Sequence, residues 1–184
     1  MVEKTEKTEK KEKIPRQKMP EQPAQVRRRN FNEVPTGYEE DVAIKEAERC
    51  LQCKNPSCVQ GCPVGVDIPG FISWLKQREF TKSIRHIWKS NSLPAVCGRV
   101  CPQESQCEGA CILAKKGDAV AIGNLERYVA DRERMTGKGD LPPIAAPSGK
   151  KVAVVGSGPS GLTVAGDLIQ KGHEVTIFEA FHKP

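Results

Sequence analysis

Residues 50–63 read CLQCKNPSCVQGCP, spacing the thiols as Cys50-x2-Cys53-x4-Cys58-x3-Cys62-Pro63. A second run, residues 97–111, reads CGRVCPQESQCEGAC and gives Cys97-x3-Cys101-Pro102-x4-Cys107-x3-Cys111. Together the runs hold all 8 cysteines of the 184-residue chain. The first run matches the cluster-binding spacing C-x2-C-x2-C-x3-C-P except for two extra residues before its third cysteine. Thiols so grouped, twice with a Cys-Pro step, point to iron–sulfur ligation and hence to electron transfer.

Two other uses of cysteine compete with that reading. Zinc fingers and ribbons are built from paired C-x2-C elements, and only Cys50 and Cys53 supply one. Disulfides need an oxidising compartment, and no apolar signal segment opens the chain; reduced thiols in a cytoplasmic protein are expected. No long uninterrupted apolar stretch occurs, so no membrane span is expected. Charges are mixed, 29 Lys+Arg against 23 Asp+Glu, and the basic run Arg27-Arg28-Arg29 stands alone. A nucleic-acid partner is therefore not expected. With aromatic residues at only 5%, the core is small, and bound clusters would add cross-links that apolar burial does not supply.

Composition divides the chain. Residues 1–30 are Lys/Glu-rich and poor in aliphatics, which predicts a disordered or extended tail. Residues 31–135 predict a helical domain. Tyr38–Arg49 has helical spacing and leads into Cys50. Asp67 is the expected cap of a helix with Pro69 in its first turn and Phe71, Ile72, Trp74 and Leu75 beyond. Thr81 is the expected cap of the next, which carries Ile84, Ile87 and Trp88 and ends at Ser92-Leu93-Pro94. Gly109–Ala114 reads as one or two helical turns around Cys111. Asp118 is the expected cap of a last helix through Leu125, Tyr128 and Val129, ending near Gly137. Residues 136–149, TGKGDLPPIAAPSG, read as a linker.

After the linker the pattern changes to strand, glycine turn, helix, strand. Val152–Val155 is a short apolar run, and Gly156-Ser157-Gly158-Pro159-Ser160-Gly161 follows it. A helix from about Leu162 to Lys171, Gly172 as its C′ residue, and the run Val175–Phe178 lead to Glu179, 23 positions beyond Gly156. This is the dinucleotide fingerprint in its expected context. Gly156 makes the tight turn, Gly158 admits the pyrophosphate, and Gly161 lets helix pack on strand. The helix N-terminus supplies amides to the phosphates. Glu179 would bond a ribose 2′-OH, which suits FAD or NAD better than NADP. A whole doubly wound domain needs more strands, so residues 150–184 are expected to be the first βαβ unit of a Rossmann-type FAD domain belonging to a longer protein. The fold class expected is mainly α: a small helical domain for two 4Fe–4S clusters, then this incomplete unit.

The stretches AERCLQCKNPSCVQGCPVGVDIPGFI, NSLPAVCGRVCPQESQCEGAC, AIGNLERYVAD and KVAVVGSGPSGLTVA closely resemble the N-terminus of the glutamate synthase small subunit. The same module occurs in dihydropyrimidine dehydrogenases and in the large subunit of NADH-dependent ferredoxin:NADP oxidoreductases. The resemblance covers about residues 27–182. It implies a helical domain with two 4Fe–4S clusters, followed by FAD and NAD(P)H domains. It also implies interleaved ligands: Cys50, Cys53, Cys58 and Cys111 for one cluster, and Cys62, Cys101, Cys107 and Glu126 for the other. Cys97 then lies outside both sets, either a small buried thiol or a spare ligand where Glu126 fails. Counting thiols alone would instead give each clump its own cluster, although the Cys-Pro cysteine of such runs commonly ligates the partner cluster.

The resemblance further implies that reduced nicotinamide feeds FAD, and that the clusters pass electrons to a catalytic large subunit or a ferredoxin-type acceptor. No substrate site is expected in this chain, nor turnover by it alone. Two other functions stay open from the residues: a docking module whose clusters are structural, and a zinc-stabilised binding domain. Trp74 and Trp88 are expected in helix cores. His86 and His173 are given no ligand role. Gly98-Arg99 could bring amides and positive charge near a cluster.

Overall fold

The computed structural model describes residues 13–136 and 142–182. The Lys/Glu repeat up to residue 12 and linker positions 137–141, with the expected helix end at Gly137, lie outside the described residues. Eight α-helices and a two-stranded parallel sheet make up the described part, so the fold is mainly helical.

The helical region runs α1 (Ala24–Arg27), α2 (Glu40–Glu48), α3 (Ser57–Gln60), α4 (Ile68–Lys76), α5 (Phe80–Trp88), α6 (Pro94–Val100) and α7 (Ile122–Thr136), with 3-10 turns at Gln103–Ser105 and Ile112–Lys115. Helix α4 starts where local chemistry says it should. The Asp67 carboxylate accepts the Gly70 N–H at 3.1 Å, and proline occupies its first turn. Its buried face, Phe71, Ile72 and Leu75, meets Ile84 and Ile87 of α5 and Leu125 and Val129 of α7 in one cluster. Burying each such side chain is worth about 1.5–3 kcal/mol. The Ser83 hydroxyl donates to the Phe71 carbonyl at 2.8 Å, which allows a polar residue at the α4–α5 contact.

Several expected boundaries move. Thr81 is not a cap: α5 already begins at Phe80, with Glu79 before it. Pro94 ends nothing. It opens α6, which the sequence reading lacked, because proline fits the first turn of a helix as well as the end of the previous one. Asp118 does not cap α7, which starts at Ile122; the Asp118 carbonyl instead accepts from Arg49 at 2.6 Å. The turn after Cys111 is 3-10 and covers Ile112–Lys115. Trp74 and Trp88 are half-buried at the edge of the core, Trp74 with the Lys82 ammonium 5.0 Å from its ring centre.

Contacts with the helical domain begin well before Phe31, whose own side chain is fully exposed. The segment from Lys13 onward lies across the domain. Gln17 donates its N–H to Glu46 at 2.7 Å and accepts the Tyr38 hydroxyl at 2.6 Å; Arg16 reaches Glu108 at 2.6 Å. Residues 20–36 fold back through Gln22 N–H to Val34 O and Thr36 N–H to Pro20 O.

Strands β1 (Lys151–Val155) and β2 (Glu174–Phe178) flank α8 (Pro159–Gln170) and pair in parallel, Lys151 opposite Glu174 and Val155 opposite Phe178. Only Val154 and Ala165 of their apolar residues are buried, while Val155, Leu162, Val164 and Phe178 are exposed. A cleft of about 400 Å³ separates this unit from the helical region, lined by Trp88, Leu93, Ile144, Leu162 and Ile169 among others.

Candidate metal centre

The two cysteine runs fold against each other. The Ser57 hydroxyl donates to the Ala110 carbonyl at 2.6 Å. A side chain at Gly61 would lie 2.7 Å from both the Ala110 methyl and the Gln106 carbonyl, so only glycine permits this approach. Cys50 leaves the end of α2, and the loop to Cys53 turns through Gln52 at φ 51°, the left-handed region. Cys58 sits in α3 and Cys62 just beyond it. Cys97 is within α6, Cys101 at its end, and Cys107 and Cys111 are buried in the following loop. All eight are free thiols.

The electrostatic neighbours of these thiols sort them into two groups. Burial raises Cys50, and Cys53 and Cys111 raise it further. Burial pushes Cys58 up to about 11, with Cys111, Cys50 and Cys53 adding to the shift. The first group therefore contains Cys50, Cys53, Cys58 and Cys111, taken from both runs. In the second, burial pushes Cys101 up to about 11, with Cys97, Glu126 and Cys62 behind it. Burial pushes Cys107 up to about 12, followed by Glu108, Cys62 and Glu126. Cys62, Cys101, Cys107, Glu126 and also Cys97 thus share a neighbourhood. Because the thiolate is the metal-binding form, metal capture at these thiols would release their protons.

Glu126 projects from α7 toward the second group. Burial pushes it up to about 7, opposed by a 2.7 Å hydrogen bond from the Asn91 amide. Gly98 makes this proximity possible: a side chain there would meet Arg127 N at 2.7 Å, so α6 lies directly on α7. Arg99 does not offer a loose positive charge. Its guanidinium is bound to Asp131 at 2.6 Å and to Glu33 at 2.6 Å. His86 bonds Asp67 at 2.6 Å, and His173 bonds Ser148. Among the described residues no three Cys, His, Asp or Glu side chains converge closely enough to hold a single metal ion.

Residues that the sequence did not flag hold this arrangement. Glu46 is fully buried and accepts from Arg49 Nη1 at 2.6 Å, Ala121 N at 2.8 Å and Gln17 N at 2.7 Å. Arg49 also donates to the Ala119 carbonyl at 2.7 Å. Glu108 accepts from Gly123 N at 3.1 Å and from Arg16. These groups flank Cys50 and Cys107 in sequence. The available signal was Glu46, an acid three residues after Ala43 and directly before Ala47 on the face α2 buries.

The glycine turn after β1 has the shape expected of a phosphate cradle. Gly156 has φ 93°, and a side chain at Gly161 would collide with the Gly156 carbonyl. A side chain at Gly158 would meet only open space, leaving that amide approachable. Ser157, Pro159 and Ser160 complete the turn and open α8. Glu179 closes on the turn: its Oε2 accepts both the Ser157 N–H at 2.8 Å and hydroxyl at 2.6 Å, and its Oε1 accepts Phe181 N–H at 2.9 Å.

Two cysteine runs folded against each other on a small helical scaffold define a cysteine-rich domain. The chain belongs to the family of dihydropyrimidine dehydrogenase domain II, 4Fe-4S cluster, which matches residues 27–138. It is 38% identical over 161 residues to the glutamate synthase [NADPH] small chain of Escherichia coli K12, covering 87% of this chain and 34% of that protein. It is 39% identical over 149 residues to the NAD-dependent dihydropyrimidine dehydrogenase subunit PreT of the same organism, covering 81% and 36%. The glutamate synthase [NADPH] small chain of Azospirillum brasilense is 33% identical over 169 residues, covering 91% and 35%. The chain thus spans about a third of the length of these relatives. No helix among the described residues is long and apolar enough to cross a membrane.

Proposed function

We propose that this chain is the electron-transfer region of an NAD(P)H- and FAD-dependent iron–sulfur oxidoreductase and holds two 4Fe–4S clusters. Cys50, Cys53, Cys58 and Cys111 would ligate one; Cys62, Cys101, Cys107 and Glu126 the other. The observation that carries this reading is the sorting of thiols across the two runs, with Glu126 beside Cys101 and Cys107. Bound there, such clusters are one-electron carriers whose potentials follow ligand type, hydrogen bonding and exposure. The chain's own part is to deliver seven thiolates and one carboxylate from segments that only fold together. Cys97 would stay outside both sets, its sulfur 3.6 Å from the Asn91 side-chain oxygen.

The βαβ unit would be the first part of a Rossmann-type FAD-binding domain. Gly156, Ser157, Gly158, Pro159, Ser160 and Gly161 would surround a pyrophosphate, and Glu179 would accept a ribose hydroxyl. The whole oxidoreductase would draw electrons from NAD(P)H through FAD. It would deliver them in the cytoplasm to a catalytic large subunit or a ferredoxin-type acceptor. This region alone would not turn over.

Anaerobic metal and sulfide analysis tests the ligand set. Two clusters require about eight irons and eight sulfides per chain. Cys111→Ser should lose one cluster, whereas Cys97→Ser should keep both. Loss of a cluster in Cys97→Ser together with full retention in Glu126→Ala overturns the interleaved set, and zinc without sulfide overturns cluster binding altogether.

A further inference from the structure

Asn91 occupies the turn between α5 and α6 and is buried. Its N–H is fixed to the Ile87 carbonyl at 3.0 Å, so the residue is anchored to the end of α5. Its side-chain oxygen accepts the Leu93 N–H at 2.9 Å and faces the Cys97 thiol at 3.6 Å. Because a backbone N–H can only donate, this contact fixes which end of the amide is oxygen. The amide nitrogen must then point the other way, where it donates to Glu126 Oε1 at 2.7 Å. One buried side chain therefore joins the turn before α6, the thiol left out of both ligand sets, and one oxygen of the Glu126 carboxylate.

From this we infer that Asn91 is a positioning residue for Glu126, selecting which carboxylate oxygen is free to bind iron. The inference rests on Glu126 being a ligand, as proposed above. With Oε1 held by the amide, Oε2 is the oxygen that receives no donor among the described residues, and the side chain presents a single oxygen instead of both. The hydrogen bond also withdraws electron density from the carboxylate. A weaker donor to iron favours the reduced state, so Asn91 raises the potential of the cluster that Glu126 serves. Turn geometry alone needs only the oxygen end of the side chain; the nitrogen end has no structural task apart from Glu126.

The two ends can be separated by mutation in the cluster-loaded chain. Asn91→Asp keeps an oxygen for Leu93 N–H and removes the donor; Asn91→Ser removes the reach to Glu126. Each is made alone and with Glu126→Cys, and midpoint potentials and electron paramagnetic resonance spectra of both clusters are recorded. Asn91→Ser should lower the potential and alter the spectrum of one cluster and leave the other unchanged. In the Glu126→Cys background the same change should produce no further shift, since the oxygen it acts on is gone. If Glu126→Cys moves one cluster but neither Asn91 variant does, Asn91 is only a turn residue and the inference fails. An Asn91 shift of equal size in the Glu126→Cys background, or cluster loss that persists there, also overturns it. If Glu126→Cys itself moves neither potential nor spectrum, the ligand reading is what fails.

Discussion

Glu46→Gln is the substitution by which the buried polar network can be judged. The Glu46 side chain is 0% exposed, and its partner Arg49 is 7% exposed at the side chain. Glutamine keeps the shape but replaces one oxygen with an amide nitrogen. The less costly orientation keeps the carbonyl at the Oε1 position, toward Arg49 and Ala121, and turns the nitrogen toward the Gln17 N–H. That leaves one buried donor facing another, at about 1–3 kcal/mol. Arg49 meanwhile exchanges a charge-assisted bond for a neutral one, roughly half as strong. Its charge remains buried among the carbonyls of Ile14, Asp118 and Ala119. The sum matches the roughly 3–5 kcal/mol expected for breaking a buried ion pair from one side. In a chain of this size that lowers the melting temperature by about 6–20 °C. The control is Lys151→Gln, which breaks the Lys151–Glu174 pair, 3.5 Å apart with side chains 80% and 67% exposed. Such surface pairs are worth about 0–1 kcal/mol. The assay is anaerobic thermal and urea unfolding of the cluster-loaded protein, with hydrogen exchange at the Gln17 amide as a local reading. A loss for Glu46→Gln no larger than for Lys151→Gln, with Gln17 still protected, refutes the assignment of this network as a structural centre.

Two predictions concern the glycine turn. Gly161→Ala drives a methyl group into the Gly156 carbonyl and should cost about 1–3 kcal/mol. It should show as earlier exchange at Val154 and Ala165, whereas Gly158→Ala, which meets open space, should leave exchange unchanged; equal effects from both would contradict the packing argument. Glu179 is held down to about 2 by the Ser157 hydroxyl and then by the Phe181 and Ser157 amides. Its folded value lies below the unfolded 4.5, so its stabilisation is complete above that pH and disappears as pH falls through about 2. A carboxyl-carbon NMR titration with its midpoint near 4.5 would show that these bonds do not hold in solution.

The features legible in the sequence are those whose chemistry acts at short range along the chain. Asp67 caps α4 because the Gly70 N–H is three residues away, and Gly156 and Gly161 are fixed by a turn they belong to. Pro94 misled because local rules allow it at the end of one helix and the start of another, and only the packing of α6 on α7 decides. The joining of the two cysteine runs depends on Gly61 meeting Ala110 and Gln106, a contact that no spacing rule contains. Resemblance supplied the grouping that residue spacing left open. The segment from Lys13 was read as a solvated tail because composition weighs apolar burial, and this segment is held by polar contacts to acids 29 and 92 positions away. Those acids are Glu46, three residues before Arg49 and four before Cys50, and Glu108, next to Cys107. The polar network therefore joins the end of α2, the loop before Cys111 and the start of α7. Each buried carboxylate ties a segment that carries a cysteine to backbone at the start of α7. Metal capture would then add cross-links to an order that Glu46, Arg49 and Glu108 already impose.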